Sequence, residues 1–419
     1  MEKESKRQIN VGIGFITGRK NFQRVLKTYV YNWRESGLTS EAQVTLNLLV
    51  AYDLKYSNTK STDYTNVSKE VSSLVDKMTF IGNEKIEEEI AYLVENGVTT
   101  KEEAHLLFAT GYASKRNAII YMAIKNNLDC LVFFDDDEYP MAVTKTRSTA
   151  IWGGQHVLSA HLENIVHADM TNGHHCGYIS PIPFMKFNEK MTEDDFRIFI
   201  GAISNDIVTW DTVKSVMNNG GVTYADTKVL VDNEATEVEE VNGAKFISGA
   251  NLCFNLSDPR RISPFYNPPG ARGEDTFLST CLHDKKVLRV PTYTFHDGFS
   301  TYHSLMEGVL PINLKYITGD TPKIYNRFLS ACIGWVRYKP LLLFITQPDQ
   351  YELKIQEMRD VLVRSIPILN DYFGQEDFGI LLKELNKYHK NVEKHYKDFM
   401  DTQKVWAKVA DFLAERTKE

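Results

Sequence analysis

Three apolar runs, INVGIGFIT (Ile9–Thr17), VTLNLLVAYD (Val44–Asp53) and LDCLVFF (Leu128–Phe134), are separated by stretches with helical spacing. The first is followed by a helical pattern from Phe22 to Trp33, and KMTFIG (Lys77–Gly82) reads as a short third strand. Helical segments around Glu84–Val94 and Ser114–Asn127 then lead into the last run. Apolar strands alternating with helices predict parallel pairing with the sheet covered by helices. A chain of this kind folds as α/β, and its ligands bind at the carboxyl ends of the strands. Thr17, Asp53 and Asp135 all stand at such ends.

The last run continues into DDDEYP, so three aspartates and a glutamate follow a buried strand. Carboxylates this close repel unless cations or donors lie between them. If the strand continued, Asp135 and Asp137 would project together into the cleft and Asp136 away from it. Two carboxylates so placed suit a hard divalent cation with positions left for phosphate oxygens. A solvated acidic turn before Pro140 is the plain alternative. Lys115 and Arg116, in ASKRNAI, sit near a helix N-terminus where backbone N–H groups also face an anion. In GARGEDTF, Glu274 and Asp275 open a helix, as N-terminal caps or as a general base aimed into the cleft. His296 ends the strand VLRVPTYTF as a candidate metal ligand, with His303 a weaker second.

Composition narrows the setting. The 419 residues are 43% hydrophobic and 25% charged, as ordinary globular domains are. The net charge of −7 argues against a broad nucleic-acid surface. No uninterrupted apolar stretch approaches the roughly 18 to 20 residues of a membrane span. The start, MEKESKRQIN, has no apolar signal region. Five scattered cysteines without a C-x-x-C pair read as reduced thiols. A cytoplasmic protein is expected, with a peripheral place at a membrane left open.

The middle of the chain is β-rich. TKVLVDNEATEVEEVNGAKFISG reads as a hairpin and SGANLCFNL (Ser248–Leu256) as a strand. HADMTNGHHC, holding His167, Asp169, His174, His175 and Cys176, is expected as a loop of the substrate cleft rather than a metal cluster. The glycines of GIGFITG lie within the first strand, so they make no dinucleotide-binding fingerprint. Trp152, Trp210 and Asp211 are candidate acceptor contacts, with core packing the alternative for the aromatics. Asn251, in the GANLCF strand, is a further one. Beyond Pro311 helical periodicity dominates, LLLFI (Leu341–Ile345) being ambiguous. The expected division is a catalytic domain over 1–315 and a helical domain over 316–419. Leu385, Tyr388, Val392, Phe399, Trp406, Val409 and Leu413 mark the seam of a long amphipathic helix, packed on its own domain or pairing a homodimer.

The order FFDDDEYP, GANLCF, GEDTF and FHDG resembles the GT-A-fold glycosyltransferases, most of all the inverting family 2 type. The resemblance covers roughly residues 8 to 305. It implies a Rossmann-like nucleotide-diphospho-sugar transferase domain with a mixed sheet, followed by the helical region. It implies Thr17 and Arg19 beside the nucleotide, Asp53 on the base, Arg116 near the phosphates, and Asp135 with Asp136 on the donor. Asp137 and His296 would hold Mn²⁺ or Mg²⁺. Asp275 would be the base, beside Glu274, and a helix start should keep it ionised. The substrates implied are a UDP- or GDP-sugar and a sugar, peptide or lipid-linked acceptor. The chain lacks the Q-x-x-R-W motif of processive synthases and the compact D-D-G-S turn after the second strand. A sugar-phosphate nucleotidyltransferase, for which TGRKN is a faint match, and a non-catalytic nucleotide-sugar-binding scaffold are the alternatives.

Overall fold

The computed structural model describes residues 8–40, 43–109, 111–179, 181–204, 210–300, 305 and 308–416. Eleven strands occur in chain order among them. They are β1 Ile9–Thr17, β2 Val44–Tyr52, β3 Lys77–Ile81, β4 Cys130–Asp135, β5 Glu138–Tyr139, β6 Met141–Lys145, β7 Ala150–Gly154, β8 Met170–Gly177, β9 Thr236–Glu237, β10 Leu252–Asn255 and β11 Val287–His296. Nine form one sheet in the order β3-β2-β1-β4-β10-β8-β11-β5, with β9 paired to β11; β6 and β7 make a separate hairpin. Strands β3, β2, β1 and β4 run parallel. Strand β10 runs antiparallel to both β4 and β8, and β11 is parallel to β8. The chain is therefore α/β with a mixed sheet.

Register brings the strand ends together. Thr17 pairs with Tyr52 and Ile16 with Asp135, so Thr17, Asp53 and the aspartate run share one edge. Alternation along β1 sends Val11, Ile13 and Phe15 to the face covered by helix Phe22–Glu35. Gly12 and Gly14 face the other side, where a Cβ would lie about 3 Å from Leu128 and Leu131, or from Ile119 and Phe133. These glycines let helix Tyr112–Lys125 lie close on the sheet, which fixes where Lys115 and Arg116 emerge.

A third apolar cluster joins Phe196, Phe199, Tyr266 and Phe277 to Phe328, Leu341, Leu362 and Leu385 of the C-terminal helices. The helical region is thus bonded to the sheet region by shared core. LLLFI is helical, within Pro322–Thr346. That helix is long and apolar enough to cross a membrane, with a mean hydropathy of 1.4, although no continuous apolar run announces it; 61% of that window is buried inside the protein. Arg337 and Lys339 interrupt the run, and Lys339 donates to the Ser204 carbonyl at 2.6 Å.

The expected hairpin after Thr227 is instead a helix, Thr227–Asp232, capped by Asp226, and only Thr236–Glu237 pairs as strand. Val229 and Leu230 pack on the core from one side of this helix, while Val231 is 80% exposed, a helical and not a strand pattern of burial. HADMTNGHHC is not a loop: Met170–Gly177 is a central strand. Its polar side chains are satisfied internally, Asn172 donating to the carbonyls of Ala250 and Asn251, and Thr171 bonding His161. Apolar periodicity cannot reveal such a strand. The GANLCF strand is shorter than expected, four residues, because Asn251 takes a left-handed φ of 50° just before it.

The C-terminal seam is split between helices Ile380–Lys390 and Val392–Arg416 and lies buried against the chain itself. Trp406 donates to the Ile262 carbonyl at 2.7 Å. Trp406→Phe should cost about 1–2 kcal/mol by leaving that carbonyl unpaired in the core. Chemical denaturation checks this; an unchanged midpoint would contradict it.

Candidate active site

Strand β4 ends at Asp135 and the chain turns over Asp136 and Asp137, so the alternation expected of the three aspartates does not hold. Each instead finds its own partners. Asp136 is buried and accepts the Thr17 hydroxyl at 2.6 Å. Arg19 bridges it to Asp137, with Nη1 3.4 Å from Asp136 and 2.6 Å from Asp137. His296 Nε2 lies 3.3 Å from the same Asp137 oxygen. Asp135 turns the other way, accepting the Tyr112 hydroxyl at 3.0 Å and facing Arg116 Nη2 at 3.5 Å.

Arg116 is 1% exposed and sits between both groups of acids. Its Nη1 donates to the Gly249 carbonyl at 2.5 Å, and its Nε is 3.5 Å from Glu274. Its guanidinium lies 4.9 to 5.2 Å from the ring centres of Tyr112, Phe133 and Phe265. The position expected of it beside the phosphates is not the one found: the side chain is enclosed, and it links Asp135 to the Glu274–Asp275 pair. Asp275 accepts backbone N–H groups from Thr276 at 2.8 Å and Gly249 at 3.2 Å.

Burial dominates the protonation of these acids. It pushes Glu274 up to about 7, with Asp275 adding repulsion and Arg116 opposing. Asp275 is also raised by burial, against the pull of Arg116 and its two backbone N–H donors, so its proton affinity exceeds that of an exposed aspartate. Asp136 is pushed up to about 7 by burial against the pull of Arg19, and Glu138 to about 8. Asp137 resists burial because His296 and Arg19 hold it far below the carboxylate range. Burial would lower His296, but Asp137 outweighs it and raises the imidazole to about 9.

The raised Glu274 has a stability consequence. Its folded value lies above its ordinary 4.5, so between 4.5 and about 7 the folded state binds the extra proton and stability falls as pH rises. Glu274→Gln should therefore melt a few degrees above the native chain at pH 8, the advantage vanishing by pH 4.5. Thermal melts across that range test it; an advantage independent of pH would contradict it.

Asp53 stays at the rim, half-exposed, with its carboxylate on the Lys55 N–H at 2.9 Å and Lys115 at 3.5 Å. Asn251 is fully buried, held by His161 Nε2 at 2.8 Å and donating to the His174 carbonyl at 3.1 Å. This differs from the acceptor-facing position expected of it, because its amide completes the turn into β10. Trp210 packs against Phe196 in the helical cluster, with Asp211 exposed on the same turn. No contact among the described residues joins either to the carboxylates. Trp152 packs on Phe295 and donates to the Pro311 carbonyl. His303 lies outside the described residues.

Sequence reasoning assigned no role to several residues of the site, Glu138 of the acidic run among them. Glu138 is buried beneath the aspartates, accepting the Thr294 hydroxyl at 2.9 Å beside His175 at 3.3 Å. Tyr112 binds Asp135 from a helix start. Tyr56 lies across Gly18, where a Cβ would come within 2.5 Å of the tyrosine Cβ. Among the described residues no three His, Cys, Asp or Glu side chains converge as a metal shell. A cavity of about 790 Å³ opens at the opposite end of the sheet beside Ile9, Asp129 and Arg260, far from this chemistry.

No family model matches the chain, and no curated protein matches it.

Proposed function

We propose that the chain is a glycosyltransferase of the GT-A type, moving one sugar from a nucleoside-diphosphate sugar, a UDP- or GDP-sugar, to an acceptor hydroxyl. One observation carries the proposal. The acids at the end of β4 and the Glu274–Asp275 pair flank a single buried arginine at the carboxyl edge of the parallel strands. Leaving-group and acceptor chemistry need such neighbouring sites, one binding a diphosphate and the other taking a proton. Carboxylates raised toward neutrality beside a strand-end cleft favour catalysis over a non-catalytic scaffold.

Asp137 and His296 fit a divalent ion as two ligands: their donor atoms are 3.3 Å apart and differ in type as metal ligands commonly do. Arg19 now neutralises Asp137, and the ion would take over that role, with donor phosphates and water supplying the other ligands. Mn²⁺ or Mg²⁺ bound there would neutralise charge on the departing diphosphate. Thr17 holds Asp136, with which Arg19 pairs, and Arg19 so held would meet the phosphates. Asp53, at the rim with Lys115, faces the base.

Asp275 accepts the proton from the attacking hydroxyl. Its two backbone donors fix the carboxylate, and its raised proton affinity makes it a better base than an exposed aspartate. Glu274, protonated to about half near neutrality, orients the acceptor by donating or accepting a hydrogen bond. Attack from the side opposite the diphosphate inverts the anomeric carbon. Acceptors of the sugar, peptide and lipid-linked classes all present such a hydroxyl.

Incubation with UDP- and GDP-sugars and Mn²⁺ tests the activity through release of nucleoside diphosphate, even when water is the acceptor. Release that requires Asp275 supports sugar transfer. Release of pyrophosphate from a nucleoside triphosphate and a sugar phosphate would instead identify a nucleotidyltransferase.

A further inference from the structure

Two arginines near this site have no hydrogen-bonding or ion-pair partner among the described residues. Arg327 belongs to helix Pro322–Thr346, and Arg272 to the GARGED loop. Among the described residues neither makes a hydrogen bond or ion pair, and Arg327 Nε is buried without a partner. The Arg327 guanidinium packs over the Phe299 ring at 5.0 Å. Its Nη2 and His296 Cε1 lie 2.7 and 2.9 Å from where a Gly298 Cβ would stand, so it reaches the histidine over a residue that has no side chain. The stem of Arg272 lies along the same helix, its Cδ 3.6 Å from the Gly334 Cβ position. Residues 327 and 334 are seven apart and share a helix face, which aligns the two arginines along it. Arg327 is repelled by Arg272 and Arg19 and attracted by Asp137.

We propose that Arg327 and Arg272 form an anion clamp that closes on the diphosphate from the C-terminal helical region, opposite Asp137. The clamp rests on the sugar-transfer proposal for its ligand, but its charge pattern stands by itself. Holding the partly buried Arg327 guanidinium without a hydrogen bond is unfavourable, and the exposed Arg272 beside it adds repulsion that Asp137 only partly offsets. A diphosphate between them supplies the missing acceptors, and guanidinium forks match phosphate oxygens in pairs. The helical region then contributes Arg327 to the site.

Calorimetric titration of the full chain with inorganic pyrophosphate, and separately with UDP and GDP, tests the clamp. Arg327→Met keeps the packing on Phe299 and removes the charge; Arg272→Ala removes the second. Each should weaken pyrophosphate and nucleoside-diphosphate binding about tenfold or more, with a shallower salt dependence and unchanged melting without ligand. Unchanged pyrophosphate affinity in Arg327→Met, with binding by the native chain, overturns the clamp and leaves sugar transfer standing. Arginine-dependent pyrophosphate binding without any nucleotide binding supports the clamp and removes the nucleotide-sugar donor. Absence of all binding in the native chain overturns both.

Discussion

Asp275→Asn is expected to lower sugar transfer by about 10²–10⁴-fold, the usual contribution of a positioned general base. Nucleoside-diphosphate affinity should stay within about twofold, because the diphosphate is assigned to residues on the far side of Arg116. The amide oxygen of asparagine can still accept one of the two backbone N–H groups that fix Asp275. Fold and donor site should therefore survive while the proton acceptor is lost. Glu274→Gln separates the two acids, since it should reduce turnover less. Parallel assays of turnover and diphosphate binding decide the matter. Equal loss of both in Asp275→Asn would make the residue structural, and a greater loss in Glu274→Gln would move the base by one position.

Arg116→Met should be among the most destabilising single changes in the chain. It leaves the partly exposed Asp135 and the more enclosed Glu274 and Asp275 around an apolar side chain where a cation stood. Removing one partner of a buried charge network costs about 3–5 kcal/mol, because the remaining charges stay desolvated. The pH dependence has a definite sign. Glu274 is raised to about 7 and Asp275 is raised above its ordinary value, so lowering the pH below about 7 protonates Glu274 first and reduces the need for the cation. The deficit should thus be largest above pH 7 and shrink toward pH 5. Denaturation midpoints at several pH values check this, and a deficit that grows on acidification would contradict it.

Much of the sheet could be read from local pattern. The bounds of β1 are those of its apolar run, and β2, β3 and β11 follow theirs within a residue or so. Parallel strands buried on both faces leave continuous apolar runs, and helices beside them leave amphipathic ones. Strand β8 escaped because polar residues fill it, and Asn172 is satisfied by distant partners such as Asn251 and Arg289, which are 79 and 117 residues away in the chain. The aspartate run announced a site, but not its internal geometry. Alternation holds only while a strand continues, and β4 stops at the first aspartate. Arg116 looked like an exposed phosphate contact because its burial depends on Phe265 and Gly249, brought over by later segments. Arg327 gave no signal at all. Its helix is a core helix by pattern, and only the tertiary fold places it beside His296.

The most direct test is calorimetric titration of the full chain with UDP, GDP, CDP and dTDP, each in Mn²⁺, Mg²⁺ or EDTA. One nucleoside diphosphate is expected to bind with an affinity that falls sharply in EDTA, and Asp137→Asn should reduce that metal dependence. A chain that binds none of the four under any condition would contradict a nucleoside-diphosphate site at the ends of β1 and β4.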